Sequence, residues 1–355
     1  METMTTIKVI RTKHSSRPGV NFDRLGFGTH VSDHMLVADF YHGEWNEAKI
    51  IPFANLALSP ASLALHYGQT VFEGMKAFQM QDDRVNIFRI RKHFERFNRS
   101  LDRMCMAEIP NEIFEEGLKQ LVAIDKNWVP KEEQGSLYLR PFMFASEAKF
   151  GVAAASEYRF VIFTGPVGQL FSRPIKVKVE REYIRAAKGG TGFAKCGGNY
   201  GGALYPAKLA KERGYDNVIW TDAKEHRYIE ESGTMNLMFV IDQTLITPPV
   251  SDSILDGVTR DSLLTIAKNM NIKTEIRPLS IDEIIDAFKQ NKITEVFGAG
   301  TAAVVAPIDT LGINGIDYKT PAYSNESIMF RLKNKLCAIR NGIEEDIYKW
   351  NTIVN

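Results

Sequence analysis

Cysteine is scarce in this chain of 355 residues: Cys105, Cys196 and Cys337 are the whole supply. They form neither an even framework nor a CxxC pair, which excludes a disulfide scaffold and leads us to expect a reducing compartment. Cys196 sits beside Lys195 but reads as a small apolar filler rather than a thiol nucleophile. An excess of charge of one sign is also missing, because 44 basic side chains against 43 acidic ones leave a net charge of +1. That balance gives no electrostatic case for nucleic acid or for an anionic membrane surface. No apolar run approaches the roughly 18 residues of a membrane span. The opening METMTTIKVIRTKHSSRPG has no apolar stretch of signal-peptide length, so a cytoplasmic protein is expected. Internal repeats, heptad seams and low-complexity tracts are absent. So are GxGxxG and GxxxxGK[ST], which removes the dinucleotide fingerprint and the P-loop.

Two further features suggest chemistry and are set aside. His30 and His34 lie four apart with Asp33 between them, but SDHMLVADF reads as a strand, where that spacing makes no helical metal pair; no metal is expected. Arg89, Arg91, Arg96, Arg99 and Arg103 make a basic helix that stands alone in a neutral chain. It reads as a solvated face with one functional arginine.

The length exceeds that at which single cores usually stop growing, so two domains are expected. Phe94, Phe97, Leu101 and Met104 recur at helical spacing, as do Phe114, Leu118 and Leu121, whereas LYLRPFMFAS and YRFVIFTGPV read as buried strands. This predicts a small α+β domain over residues 1–165. TGPVGQLFSRP, with two Gly and two Pro, predicts a linker at 166–174, and residues 175–355 make the second domain. There IKVKVE and NVIWTD read as strands, with a helix between them ending at Gly214 behind Lys211 and Arg213. Ser280 and Glu283 predict a capping box before Ile281, Ile284, Ile285 and Phe288. Ile328, Leu332, Leu336 and Ile339 mark a last helix.

What the chain has in abundance is local glycine: half of GGTGFAKCGGNYGG, Gly189 to Gly202, is glycine, around the single cation Lys195. Such a backbone bends sharply and comes close to whatever it surrounds. An amine stripped of water there is the nucleophile that forms Schiff bases with carbonyl groups, although a mobile loop with a solvated lysine shares the pattern. In YIEESGTMNLMFVI, Glu230 and Glu231 precede an apolar strand, where a carboxylate must face a cation or lie in a solvated hairpin. In SILDGVTRDSLLTIAKNM, Gly257 opens onto a helix whose Val258 and Thr259 amides, with the Thr259 hydroxyl, suit a phosphate. VFGAGTAAVV is a slim turn with one hydroxyl, Thr301. A lysine nucleophile, a carboxylate and two small-residue turns are the parts of a pyridoxal phosphate site.

AKCGGNYGG, EESGTMN, DGVTRDSL and FGAGT, with HYGQTVFEGMKAF and FGTHVSDHML, resemble the branched-chain amino acid aminotransferases in order along nearly the whole chain. The resemblance implies fold type IV of the pyridoxal 5′-phosphate enzymes: a small α+β domain, a larger α/β-barrel-like domain and a homodimer. It implies transamination of L-leucine, L-isoleucine and L-valine with 2-oxoglutarate through a Schiff base on Lys195. Alternatives are a D-amino acid aminotransferase or aminodeoxychorismate lyase of the same fold, or a binder of the cofactor without turnover. By position, Glu231 matches the partner of the pyridine nitrogen, Tyr200 that of the ring hydroxyl, and Arg96 the phosphate-binding arginine, with the Val258 and Thr259 amides and Thr301 completing the phosphate cup. Thr234 and the Ala302 amide match groups at the substrate α-carboxylate. Phe27, Tyr67, Phe72, Tyr138 and Arg140 match the side-chain pocket, and the loop at Phe150 and Val152 matches one reaching the other subunit's site. Ala303 and Ala306 stand where mammalian relatives carry a CxxC pair, so no such redox switch is expected.

Overall fold

The computed structural model describes residues 7–168, 170, 171 and 173–354. Gln169 and Ser172 of the expected linker lie outside the described residues. Two compact units form. One gathers the described residues of Met1–Leu170 with Ala194–Gly198 and Ala338–Asn355; the other holds Phe171–Phe193 and Asn199–Cys337.

The first unit is built on a ten-stranded sheet. Its centre is the antiparallel pair Ser136–Ala145 and Tyr158–Val167, in unbroken register from Ser136 opposite Val167 to Ala145 opposite Tyr158. Tyr158–Val167 is rich in β-branched and aromatic residues and Ser136–Ala145 contributes Tyr138, Phe142 and Phe144, the types that fill a pleated surface. His34–Tyr41 continues the sheet on the far side of Tyr158–Val167. On the far side of Ser136–Ala145 the neighbouring strand is broken in two. Thr70–Phe72 pairs with Phe142–Phe144 and Met75–Gln79 pairs with Leu137–Leu139.

Pro141 explains the break. In an antiparallel ladder a residue's N–H and C=O point to the same side; the Pro141 carbonyl accepts from the Glu73 amide at 2.7 Å, but Pro141 has no N–H to return. The ladder is therefore interrupted at Glu73 and Gly74. Gly74 is required there, because a Cβ at that position would lie 2.0 Å from the Tyr138 hydroxyl.

Helix Ile90–Arg103 packs Phe97 and Leu101 into this unit's core with Phe114 and Phe160. Its expected functional arginine is not on the solvated face: Arg96 is buried, together with His93 and Ser100. These three recur at helical spacing, so one face of the helix carries a polar stripe into the interior.

In the second unit, strands Ile175–Val179, Asn217–Thr221, Ile229–Ser232, Met235–Ile241, Ile293–Gly300 and Val304–Ile313 close into a ring. Closure comes from Ile229–Ser232, which pairs with both Asn217–Thr221 and Met235–Ile241. Val177, Ile219, Leu237, Phe239, Val296 and Leu311 fill this core. The structure thus has the α+β, barrel-containing fold expected of type IV. The glycine-dense segment is not wholly irregular, since Gly198–Gly201 forms a short helical turn.

The expected capping box is half made. The Ser280 hydroxyl accepts from the Glu283 amide at 3.1 Å, while the Glu283 carboxylate turns to Arg277, at 2.7 and 3.1 Å, rather than back to the Ser280 amide. Ser280→Ala is expected to lower stability by about 1 kcal/mol without changing turnover. Urea unfolding of the folded enzyme measures it.

Candidate active site

Lys195 sits on an extended segment laid along Thr70–Phe72. The Phe72 amide donates to the Lys195 carbonyl at 3.0 Å, the Gly197 amide donates to the Thr70 carbonyl at 3.2 Å, and Val71 bridges to Cys196. The Lys195 amide donates to the Ser100 hydroxyl at 3.0 Å, and that hydroxyl donates to the Arg96 carbonyl at 2.9 Å. Gly197 is forced by this close approach, since a Cβ there would lie 2.4 Å from the Thr70 hydroxyl oxygen. Cys196, 1 % exposed, is the apolar filler that its setting in the sequence suggests. The Lys195 ammonium nitrogen lies 4.8 Å from the centroid of the Phe72 ring.

The same unit brings several expected pocket residues to this lysine. The Arg140 guanidinium lies 4.9 Å from the Phe72 ring and donates to the Tyr138 hydroxyl at 3.1 Å. Phe27 packs edge-on against Tyr138 at 5.2 Å. Tyr67 stands farther out, at the end of the short helix Leu63–Tyr67, where its hydroxyl accepts from the Gly151 amide at 3.4 Å. Phe150 and Val152 flank that amide and are 91 % and 84 % exposed.

Arg96 is not held by position alone. Its guanidinium donates from Nε and Nη2 to the two oxygens of Glu73, at 2.7 and 2.8 Å. Burial by itself would raise the pKa of Glu73, but the charge of Arg96 and the hydrogen bonds from Arg96 and His93 outweigh it and hold the carboxyl far below the usual range. Glu73, His93 and Ser100 were missed in the sequence reading. Glu73 lies inside HYGQTVFEGMKAF, and His93 and Ser100 fall on the Arg96 face at helical spacing, so the signal was present.

The second unit assembles the remaining residues. Glu231 is 4 % exposed, which removes the solvated-hairpin reading; its Oε1 lies 3.0 Å from Arg185 Nε and its Oε2 accepts from the Leu255 amide at 3.0 Å. The Leu255 carbonyl accepts from Asn236 at 2.9 Å, and Gly257 passes so close that a Cβ would lie 1.8 Å from Asn236 Oδ1. This fixes the start of helix Val258–Asn269, and with it the Val258 and Thr259 amides, relative to Glu231. Asn236 also pairs with Ala299, and a Cβ on Gly300 would meet the Thr234 carbonyl at 3.3 Å, so Thr234 neighbours the Thr301–Ala302 turn. Tyr200 lies on the helical turn Gly198–Gly201, whose Asn199 donates to the Thr191 carbonyl at 2.8 Å.

Glu230 is the other carboxylate of the pair. Burial raises its pKa, opposed by a hydrogen bond from Ser253 and by the charge of Arg185. Neighbouring carboxylates thus have different settings, one ion-paired and one pushed toward the neutral acid.

Residues 70–311 match the sequence family described as amino-transferase class IV. The chain belongs to that family of pyridoxal 5′-phosphate enzymes. Within it the chain stands with the branched-chain aminotransferases. It is 41 % identical to branched-chain-amino-acid aminotransferase 2 of Bacillus subtilis (strain 168), covering 99 % of this chain and 98 % of that one. It is 46 % identical to branched-chain-amino-acid transaminase 1 of the same organism, over 82 % of this chain and 83 % of that one. The fold matches the crystal structure of the Escherichia coli branched-chain amino acid aminotransferase with a TM-score of 0.73 at 26 % identity, over 90 % of this chain and 99 % of that one. It also matches the branched-chain aminotransferase of Thermoproteus uzoniensis solved with norvaline, at TM-score 0.75 and 24 % identity, over 91 % of this chain and all of that one.

Removing the Ser100 hydroxyl leaves the Lys195 amide without that acceptor in the interior. Ser100→Ala is expected to cost about 1–3 kcal/mol of stability and to lower turnover of the folded enzyme. Paired unfolding and steady-state measurements check this.

Proposed function

We propose that Lys195 is the catalytic amine of a transaminase that exchanges the amino groups of L-leucine, L-isoleucine and L-valine with 2-oxoglutarate, yielding branched 2-oxo acids and L-glutamate. The observation that carries this is the anchoring of Lys195 by Phe72 and Ser100, beside the contacting residues Phe72, Arg140, Tyr138 and Phe27. The named relatives favour this reading over a D-amino acid aminotransferase, an aminodeoxychorismate lyase or a binder without turnover.

The donor set fits pyridoxal 5′-phosphate. Lys195 offers an amine for its aldehyde. Arg96, the Val258 and Thr259 amides and the Thr301 hydroxyl offer donors for its phosphate. Glu231 offers a carboxylate for the protonated ring nitrogen and Tyr200 a hydroxyl for the ring oxygen. Bound there, the cofactor supplies an electron sink for the charge left when the substrate Cα–H bond breaks.

The chain's own groups do the rest. Glu231, ion-paired with Arg185, would favour a proton on the ring nitrogen. With substrate bound, the Lys195 amine would take the proton from Cα as general base and hand it back as general acid. Thr234 and the Ala302 amide hold the α-carboxylate. Aromatic rings accept the branched side chain, while the Arg140 guanidinium and the Tyr138 hydroxyl, already joined at 3.1 Å, meet the distal carboxylate of 2-oxoglutarate. One pocket therefore alternates between an apolar and an anionic occupant.

Lys195→Ala is expected to reduce turnover by roughly 10²–10⁴-fold or more. Borohydride reduction followed by peptide mapping of the native holoenzyme should find the adduct on Lys195. An adduct on another residue overturns the assignment.

The working assembly is a homodimer in the cytoplasm. Phe150 and Val152, 91 % and 84 % exposed on one loop, are the apolar surface that a second copy would cover. Three free cysteines suit a reducing compartment, and among the described residues no helix is long and apolar enough to cross a membrane. Phe150→Ser with Val152→Ser is expected to weaken the dimer, seen as a shift toward monomer in light scattering after size exclusion.

A further inference from the structure

The polar stripe of helix Ile90–Arg103 contains more than an arginine. Glu73 is fully buried, and its carboxylate accepts four hydrogen bonds: from Arg96 Nε at 2.7 Å, Arg96 Nη2 at 2.8 Å, His93 Nδ1 at 2.8 Å and the Gly74 amide at 3.1 Å. Oε2 takes three of these bonds and Oε1 takes one, so both oxygens of the carboxylate are held. We propose that Glu73, locked by His93, is a positioning residue that sets the plane of the Arg96 guanidinium for the cofactor phosphate. This rests on the reading of Arg96 as a phosphate ligand.

A bidentate fork fixes rotation as well as distance. With Nε and Nη2 both committed to one carboxylate, the direction of Nη1 follows from the plane of Glu73, and that plane is in turn fixed by the two donors on the other side of Oε2. The carboxylate cannot swing, because Glu73 stands at the ladder break opposite Pro141 with its own amide tied to the Pro141 carbonyl. Glu73 also lowers the net charge offered to the phosphate. What it gives in return is a cation that is buried, paired and aimed before the ligand arrives, so binding does not have to order a long side chain.

His93 supports this without adding charge. Burial pushes its pKa down, more than Glu73 raises it, so the ring is neutral near pH 7 and donates Nδ1–H to the carboxylate. Its role is directional, which makes the chain of control His93 to Glu73 to Arg96.

The test separates positioning from general stability by comparing apoenzyme affinity for pyridoxal 5′-phosphate with that for pyridoxal, which lacks the phosphate. Glu73→Gln must turn an NH₂ toward donors it formerly accepted from. It is expected to lower the ratio of the two affinities by about 10- to 100-fold, the range seen when an outer partner of a binding group is removed. The ³¹P resonance of the bound cofactor should move as well. His93→Leu should lower the ratio several-fold, and His93→Asn, which keeps a donor near Nδ1, should restore it; this pair carries the test if Glu73→Gln does not fold. Equal losses for both ligands, or no restoration by asparagine, overturn the proposal. Arg96→Gln tells the two readings apart: a ratio it leaves unchanged sinks the phosphate assignment itself, whereas a ratio it lowers but Glu73→Gln and His93→Leu do not sinks only the positioning role.

Discussion

The amine proposed for catalysis needs a fixed backbone, and the hydrogen bonds around Lys195 hold that backbone from two directions. Its carbonyl is tied to the Phe72 amide and its amide to the Ser100 hydroxyl, while the next strand bond, from Gly197 to Thr70, stops the segment from peeling away. The side chain then extends from a fixed backbone, which suits the proposed task of binding a carbonyl and carrying a proton. Gly197 belongs to this arrangement for steric reasons, and Ser100 extends it to Arg96 four residues earlier on the same helix. Loss of any one of these bonds removes a restraint on the backbone that carries Lys195.

Charge in the two units follows one rule. In each unit a buried carboxylate is matched to an arginine, Glu73 to Arg96 and Glu231 to Arg185. A lone buried ion would change protonation or unfold its surroundings, and a paired one keeps its charge. The second partner differs with the task. Glu73 accepts from side-chain and backbone donors at both oxygens, whereas Glu231 accepts from the Leu255 amide beside Arg185. Glu230, next in sequence, is turned toward Ser253. Alternation along a strand puts neighbouring side chains on opposite faces, which is how two adjacent glutamates come to have unlike chemistry.

Much of this was legible residue by residue. The strands around Tyr138 and Phe160, the helix through Arg96, the N-cap at Ser280 and the turn at Gly257 follow from periodicity and capping chemistry, which are local. The lysine and its glycines stood out because composition there departs from the rest of the chain. The break at Glu73 was harder to see. It needs Pro141, almost seventy positions away, to withhold one hydrogen bond from a neighbouring strand, and no window of sequence contains both residues.

The order of residues by itself marked out the main strands and helices and singled out Lys195 with its glycines, the Glu230–Glu231 pair and two small-residue turns, because those features depend on neighbours within a few residues. Only tertiary structure decided that Glu73, His93 and Ser100 join Arg96 and Lys195, that Arg185 faces Glu231, and that strand Ile229–Ser232 closes the ring. Those pairings join residues distant in sequence, and whether a buried charge finds its partner is settled by where the backbone brings each side chain, which local propensity does not encode.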